Sequence, residues 1–163
     1  MNYKNSRGWR NNNPLNIRRG DRWQGLRALQ NDKEFCQFVS MSFGYRAAVK
    51  VLMSYFRYFL QQGIPFTYEN IIRRWAPSTE NNTEAYIRRV LDIVGEPHAE
   101  VKIGNPYTEL GRRRLAWLIV AMTCVECGCN PEDVDYTSIN TGFRLAGLGE
   151  PSLKEKGPIL SFP

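Results

Sequence analysis

Beyond residue 42 the apolar positions recur at helical spacing, whereas the first forty residues keep no sustained period. Ala47, Val51, Ser54/Tyr55 and Tyr58 repeat at intervals of three and four up to Gly63-Ile64-Pro65, which predicts one long helix that stops there. Thr67 can cap a short helix through Ile71, Ile72 and Trp75 that Pro77 ends, and Thr83 can cap another carrying Tyr86, Ile87, Val90, Leu91 and Val94 up to Gly95. After an irregular stretch at 96–107, Thr108 opens a helix with Leu115, Leu118, Ile119, Met122 and Val125, closed by Gly128. This should be the central helix. A last helix is expected over 136–145, with 149–163 a loosely held tail. Residues 1–40 are rich in Asn, Gly and Arg and hold two short β-prone pieces, 15–18 and 35–39, which read as loop with a small hairpin. The predicted fold is therefore mainly α with a minor β element near the N-terminus, in a single domain spanning 1–163.

Composition narrows the class. With 42% hydrophobic and 23% charged residues in 163, the chain can bury a core and is not disordered, collagen-like or a disulfide miniprotein. Its longest uncharged apolar run, Leu115 to Val125, is 11 residues, short of the roughly 18 that a membrane span needs, so no membrane insertion is expected. The opening MNYKNSRGWRNNNP lacks the apolar core of a secretory signal, which predicts a product made in the cytoplasm. Lys and Arg outnumber Asp and Glu by 22 to 16, a formal charge of +6 that favours an acidic partner: nucleic acid, an anionic membrane surface or the bacterial cell wall. The basic residues fall in small groups (Arg18-Arg19, Arg73-Arg74, Arg88-Arg89, Arg112 to Arg114), and no nucleic-acid motif accompanies them, so nucleic acid ranks last. Cys36, Cys124, Cys127 and Cys129 form no secreted disulfide framework, and CVECGC lacks a fourth nearby ligand for zinc; buried or idle thiols, no metal and no cofactor are expected. The P-loop, the dinucleotide fingerprint, HExxH and GxSxG are all missing from the sequence.

Glu126 is the most informative position. It follows Leu115, Ile119 and Met122 by 11, 7 and 4 residues, so on a helix it points to the side that packs the core. A carboxylate there is costly unless paired, and burial favours the protonated form that a glycosidase acid requires. The alternative is that Glu126, close to the helix end, meets solvent or an arginine. Asp32 and Glu34 before FCQF, and Glu80 in WAPSTENNT, are further candidate carboxylates, with an exposed hairpin charge and helix capping as their structural accounts; the helix dipole suffices for Glu84. Trp23, Trp75 and Tyr86 could stack on sugar faces or donate to N-acetyl groups, with core packing as the alternative and the favoured one for Trp75, and Asn11, Asn12 and Asn13 suit sugar hydroxyls as well as turns.

The stretch ECGCNP resembles the end of the catalytic helix in lytic transglycosylases and other lysozyme-like muralytic enzymes, where the glutamate is the general acid. NNNPLNIRRGDRWQGL, FCQFVSMSFGYRAAVKVL and WAPSTENNTEAYIRRV are similar, in order, to segments of bacterial glucosaminidases. More closely, RGWRNNNPLNIRRG, WQGL, FCQF, RWAP, ENNTEAYI and the late V-E-C-G resemble a family of phage and prophage proteins, often labelled virion structural proteins, that includes phage lysins with a lysozyme-like fold. In the glucosaminidases the acid helix precedes the Asn-rich segment, so the resemblance implies a circularly permuted domain. It further implies a phage lysin that cuts the glycan of peptidoglycan, with Glu126, Glu80 and Glu34 as catalytic carboxylates and Asn11, Asn12, Asn13, Tyr86 and Trp75 on the substrate. Such a lysin would be a monomer, reaching the wall after holin-type release or on a virion among other virion proteins. The alternative is a non-catalytic virion component that keeps a lysozyme-like shape for wall binding.

Overall fold

The computed structural model describes residues 2–79 and 81–154. Among these the regular elements are helical: α1 (Arg7–Arg10), α2 (Met41–Gln62), α3 (Tyr68–Trp75), α4 (Thr83–Val94), α5 (Glu109–Cys127) and α6 (Tyr136–Leu145), with single 3-10 turns at Tyr3–Asn5 and Pro131–Asp133. The start signals act as their chemistry requires. Side-chain oxygens of Ser40, Thr67 and Thr108 accept the backbone N–H of Phe43, Asn70 and Gly111, and Gly63, Gly95 and Gly128 close α2, α4 and α5 in the left-handed conformation. One cap is displaced by a residue. Asn82, not Thr83, caps α4, which frees the Thr83 hydroxyl to donate to the Ala76 carbonyl and tie the end of α3 to the start of α4.

Helix α5 is the centre of the core. Leu115, Leu118, Ile119 and Met122 are all fully buried, each burial worth about 1.5–3 kcal/mol. Helix α4 packs along α5, and α6 packs on α2. In the core the Tyr45 hydroxyl lies 3.0 Å from Thr123 Oγ1; since Thr123 gives its one proton to the Ile119 carbonyl at 2.8 Å, Tyr45 is the donor, and the pair fastens α2 to α5. The period that marks α2 is real, but its buried stripe runs through Tyr45, Ala48, Val49, Leu52 and Phe59. Ala47, the first residue of the predicted repeat, is fully buried, Val51 and Tyr55 are half-buried against the core and Tyr58 is exposed, so that face turns out of the core only toward the C-terminal end of α2.

Two expectations are corrected. The N-terminal β-hairpin is not formed: 15–18 and 35–39 meet through one isolated antiparallel bridge, Arg18 with Phe35, and the Cys36 N–H bond to the Ile17 carbonyl, while a second isolated bridge joins Phe38 to Leu26. Side-chain amides take the places of ladder partners here. Asn13 Nδ2 donates to the carbonyls of both Ile17 and Cys36, its Oδ1 accepts the Ile17 N–H, and Gln30 Oε1 accepts the N–H of Gln37. The segment 149–154 is held, not loose: Pro151 and Leu153 are buried, Leu153 exchanges two hydrogen bonds with the Asn140 amide, and Arg113 donates to the Pro151 carbonyl. The rest of the expected tail, 155–163, lies outside the described residues.

Gly142 of α6 is the point of closest approach to α2. A Cβ there would stand 2.7 Å from the Tyr45 Cβ and 3.0 Å from the Arg46 nitrogen, so Gly142→Ala overpacks backbone that cannot yield. The expected cost is roughly 1–3 kcal/mol in spite of alanine's better helix propensity. Thermal unfolding followed by circular dichroism should show a lower Tm; an unchanged or raised Tm would contradict this packing.

Candidate active site around Glu126

Helix α5 leaves the core in its last turn, and that is where Glu126 sits, half-buried, two residues before the Gly128 cap. Its carboxylate receives three neutral donors. Asn16 Nδ2 reaches Oε1 at 3.0 Å, while the Tyr86 hydroxyl at 2.9 Å and the Trp75 indole N–H at 3.3 Å share Oε2. Among the described residues no cation pairs with it. The donors come from three parts of the chain: Trp75 ends α3, Tyr86 stands on the first turn of α4, and Asn16 follows the Asn-rich loop. Asn16 holds φ at 53°, a left-handed conformation that asparagine tolerates better than most side chains. Its own Oδ1 is buried without a partner. Gly8 makes room for it: a Cβ at Gly8 would meet Asn16 Oδ1 at 3.0 Å and Cys127 Sγ at 3.1 Å. Burial, reinforced by the Glu126 charge, pushes the Tyr86 phenol well above its ordinary range, so Tyr86 stays a donor at any physiological pH.

Glu126 borders two depressions. One, of about 350 Å³, is lined by Asn16, Arg18, Phe35, Tyr55, Trp75 and Asn81 among others; the second, of about 580 Å³, lies against the N-terminal segment Asn2 to Arg7. Among the described residues Glu126 is the one carboxylate on either wall. A wider depression of about 640 Å³ runs along the exposed side of α4 by Arg88, Asp92 and Pro97, but lacks Glu126 and any enclosed polar group. We therefore place the candidate site at Glu126, where three side-chain donors from distant parts of the chain converge.

The other expected site residues separate into those that meet Glu126 and those spent elsewhere. Trp75 and Tyr86 are beside it, as holders of the carboxylate; Tyr86 is only 7% exposed. Asn11, Asn12 and Asn13 are not presented to the cleft as substrate ligands, a correction to the expectation. Asn11 joins Asp32 to Gln37, Asn12 donates to the Phe38 carbonyl, and Asn13 does the bridging described above with no exposure at all. Asp32 is likewise structural. It takes two short bonds from Arg7, one from Asn11 and the backbone N–H of Glu34 and Phe35. Glu34 is exposed, pairs with Arg7 and Arg18 at 3.7 Å, and lines neither depression, so it does not face Glu126 as a second catalytic carboxylate. Glu84 binds Arg73, which also holds Glu69. Glu80 lies outside the described residues. All four cysteines are buried free thiols, and burial pushes Cys127, next to the site, up to about 12. Asn16 is the member that residue chemistry alone did not single out within NNNPLN.

No protein-family model matches the chain. It is 36% identical over 149 residues to Protein P5 of Pseudoalteromonas phage PM2, an alignment covering 88% of this chain and 84% of that protein.

The Arg7 guanidinium, with the surrounding N–H groups, holds the Asp32 carboxyl far below the usual carboxylate range. A carboxylate with a depressed folded pKa contributes stability above its unfolded value, near 3.9, and loses it as pH falls through the interval down to the folded value. Asp32→Asn should cost roughly 1–2 kcal/mol at pH 7, allowing for solvent screening at the partly exposed Arg7. In urea titrations the gap between the wild type and this variant should narrow below about pH 4. A gap that stays constant from pH 7 to 3 would dismiss the ion pair as the cause.

Proposed function

This chain belongs to the phage protein family of Protein P5, and on that premise we propose that it cleaves the glycan strand of bacterial peptidoglycan with Glu126 as its acid. The observation that carries the proposal is one half-buried carboxylate between two depressions, fixed by Asn16, Trp75 and Tyr86 and, among the described residues, by no cation. A strand laid from one depression to the other would cross Glu126 with sugars on both sides. Retaining or inverting hydrolysis needs a second carboxylate roughly 5 to 9.5 Å away. With none on either wall among the described residues, the chemistry that fits is one in which the substrate supplies the nucleophile. Glu126 gives its proton to the glycosidic oxygen as that bond breaks, the sugar's own hydroxyl closes onto the anomeric carbon, and the Glu126 carboxylate takes the hydroxyl proton. Tyr86 and Trp75 hold Oε2 throughout, while the unpartnered Oδ1 of Asn16 offers an acceptor for the carboxyl proton if the amide turns over. This is lytic transglycosylase chemistry, on a lysozyme-like domain with its acid helix moved to the end. An anionic wall suits the charge of +6, and no described helix is long and apolar enough to cross a membrane. The wall would be reached through holin-type release or on a virion.

One observation favours a second reading. Both oxygens of Glu126 are occupied by donors, as in a carboxylate kept as a fixed anion, which suits a non-catalytic wall-binding protein of the virion.

Zymography on purified peptidoglycan, with mass spectrometry of the released fragments, separates the two. Anhydro-ended fragments from the wild type, and at least a 1,000-fold loss in Glu126→Gln with its circular dichroism unchanged, are expected. Reducing ends abolished equally by Glu80→Gln would mean hydrolysis with two carboxylates. No fragments, with wall binding retained, would favour the second reading.

A further inference from the structure

Consecutive residues at the end of α3 point different ways. Trp75 turns to Glu126, whereas Arg74 lies exposed over two tyrosines of α2, its guanidinium carbon 4.3 Å from the Tyr58 ring centre and 5.0 Å from that of Tyr55. Tyr55 is a wall of the cleft and stands 6.3 Å from the Trp75 ring, so the clasp adjoins the cleft through a single side chain. Arg73, one residue earlier, is neutralised by Glu69 and Glu84. Arg74 meets no carboxylate among the described residues.

The clasp changes what this arginine can do. With its guanidinium carbon within cation–π reach of both rings, Arg74 is held over α2 without spending its N–H donors, so part of the entropy of ordering a long side chain is already lost before any ligand arrives. A planar fork held in this way suits the two oxygens of a carboxylate. Nucleic acid would require a row of cations spaced along a groove, and here the neighbouring arginine is already paired. On the glycan strand, the groups that leave the sugar plane and carry free carboxylates are the peptide stems.

We propose that Arg74, clasped by Tyr55 and Tyr58, is a subsite at the cleft rim that takes a free carboxylate of the peptide stem. It rests on the proposed glycan substrate and adds to that reading a requirement for the peptide. The test is isothermal titration of the full chain with a disaccharide-tetrapeptide and with the same compound after amidation of its peptide carboxylates. The wild type should prefer the free acid by about tenfold, the equivalent of one good charge-assisted pair. Arg74→Met should erase the preference without weakening the amidated compound, and Arg74→Lys should restore part of it. Equal affinity of the wild type for the two compounds, no binding of either, or equal weakening of both in Arg74→Met would overturn the proposal. So would competition by a single-stranded oligonucleotide as strong as that by the tetrapeptide, because that would mark a phosphate site. The preference is read without any cleavage. Its presence in a protein that releases no glycan fragments would sink only the enzyme reading, and its absence in one that does would sink only the subsite.

Discussion

A helix that is apolar on nearly every side can carry a carboxylate only where it leaves the core, and α5 carries Glu126 in its last turn. From Leu115 to Met122 the helix has no polar side chain to spare and almost no exposed surface. Taking a carboxylate even half out of water is expensive whenever it is ionised, and side-chain donors offset that cost, with no cation paired to Glu126 among the described residues. Each hydrogen bond to a charged acceptor is worth about 1.5–3 kcal/mol, so three are enough to hold Glu126 in one place. The donors are scattered through the sequence at Asn16, Trp75 and Tyr86, and every other element must be placed so that they meet. The Thr83 bond to Ala76 and the Arg73 pair with Glu84 join α3 to α4 and thereby set Trp75 relative to Tyr86.

The N-terminal forty residues solve a different problem with different means. Lacking a helix long enough to bury or a strand long enough to pair, they satisfy their backbone through amide side chains. Asn13 and Gln30 bond main-chain groups, Gln37 accepts from the backbone of Asn31 and Asp32, and Asp32 organises the return of the loop against Arg7. A loop bound in this way is stiff enough to present Asn16 in a left-handed conformation against Glu126.

Much of this was legible in the sequence because it depends on local chemistry. Thr67 and Thr108 as caps, the glycine stops at 63, 95 and 128, and the placement of Glu126 four residues after Met122 are short-range features that tertiary packing did not override. What failed depends on partners distant in the chain. Residues 15–18 and 35–39 have β-prone composition, but some of their bonding groups meet the side chains of Asn13 and Gln30 and others meet backbone at Asn11, Gly25 and Arg27, which no period reveals. The three asparagines have the right functional groups for sugar, and only the fold tells that those groups are already used. The α2 repeat at Val51, Tyr55 and Tyr58 marks a helix correctly, yet the same repeat serves a core stripe or a cleft wall. Helix α1, four residues of RGWR, has no apolar period to read.

The end of α3 brings the two kinds of constraint together. Successive residues on a helix diverge by about 100°, so a helix edge that aims Trp75 at the half-buried Glu126 must aim Arg74 away from it. On the side where Arg74 emerges, α2 offers Tyr55 and Tyr58, the residues of its period that the core does not take up. The aromatic surplus of α2 and the stop at Pro77 thus place a neutral donor on the acid and a cation on the rim through one turn of helix. A shift of α3 along its axis would disturb both at once. The geometry of Glu126 and the charge at the cleft rim are for that reason a single property of the α2 and α3 packing, not two separately adjustable ones.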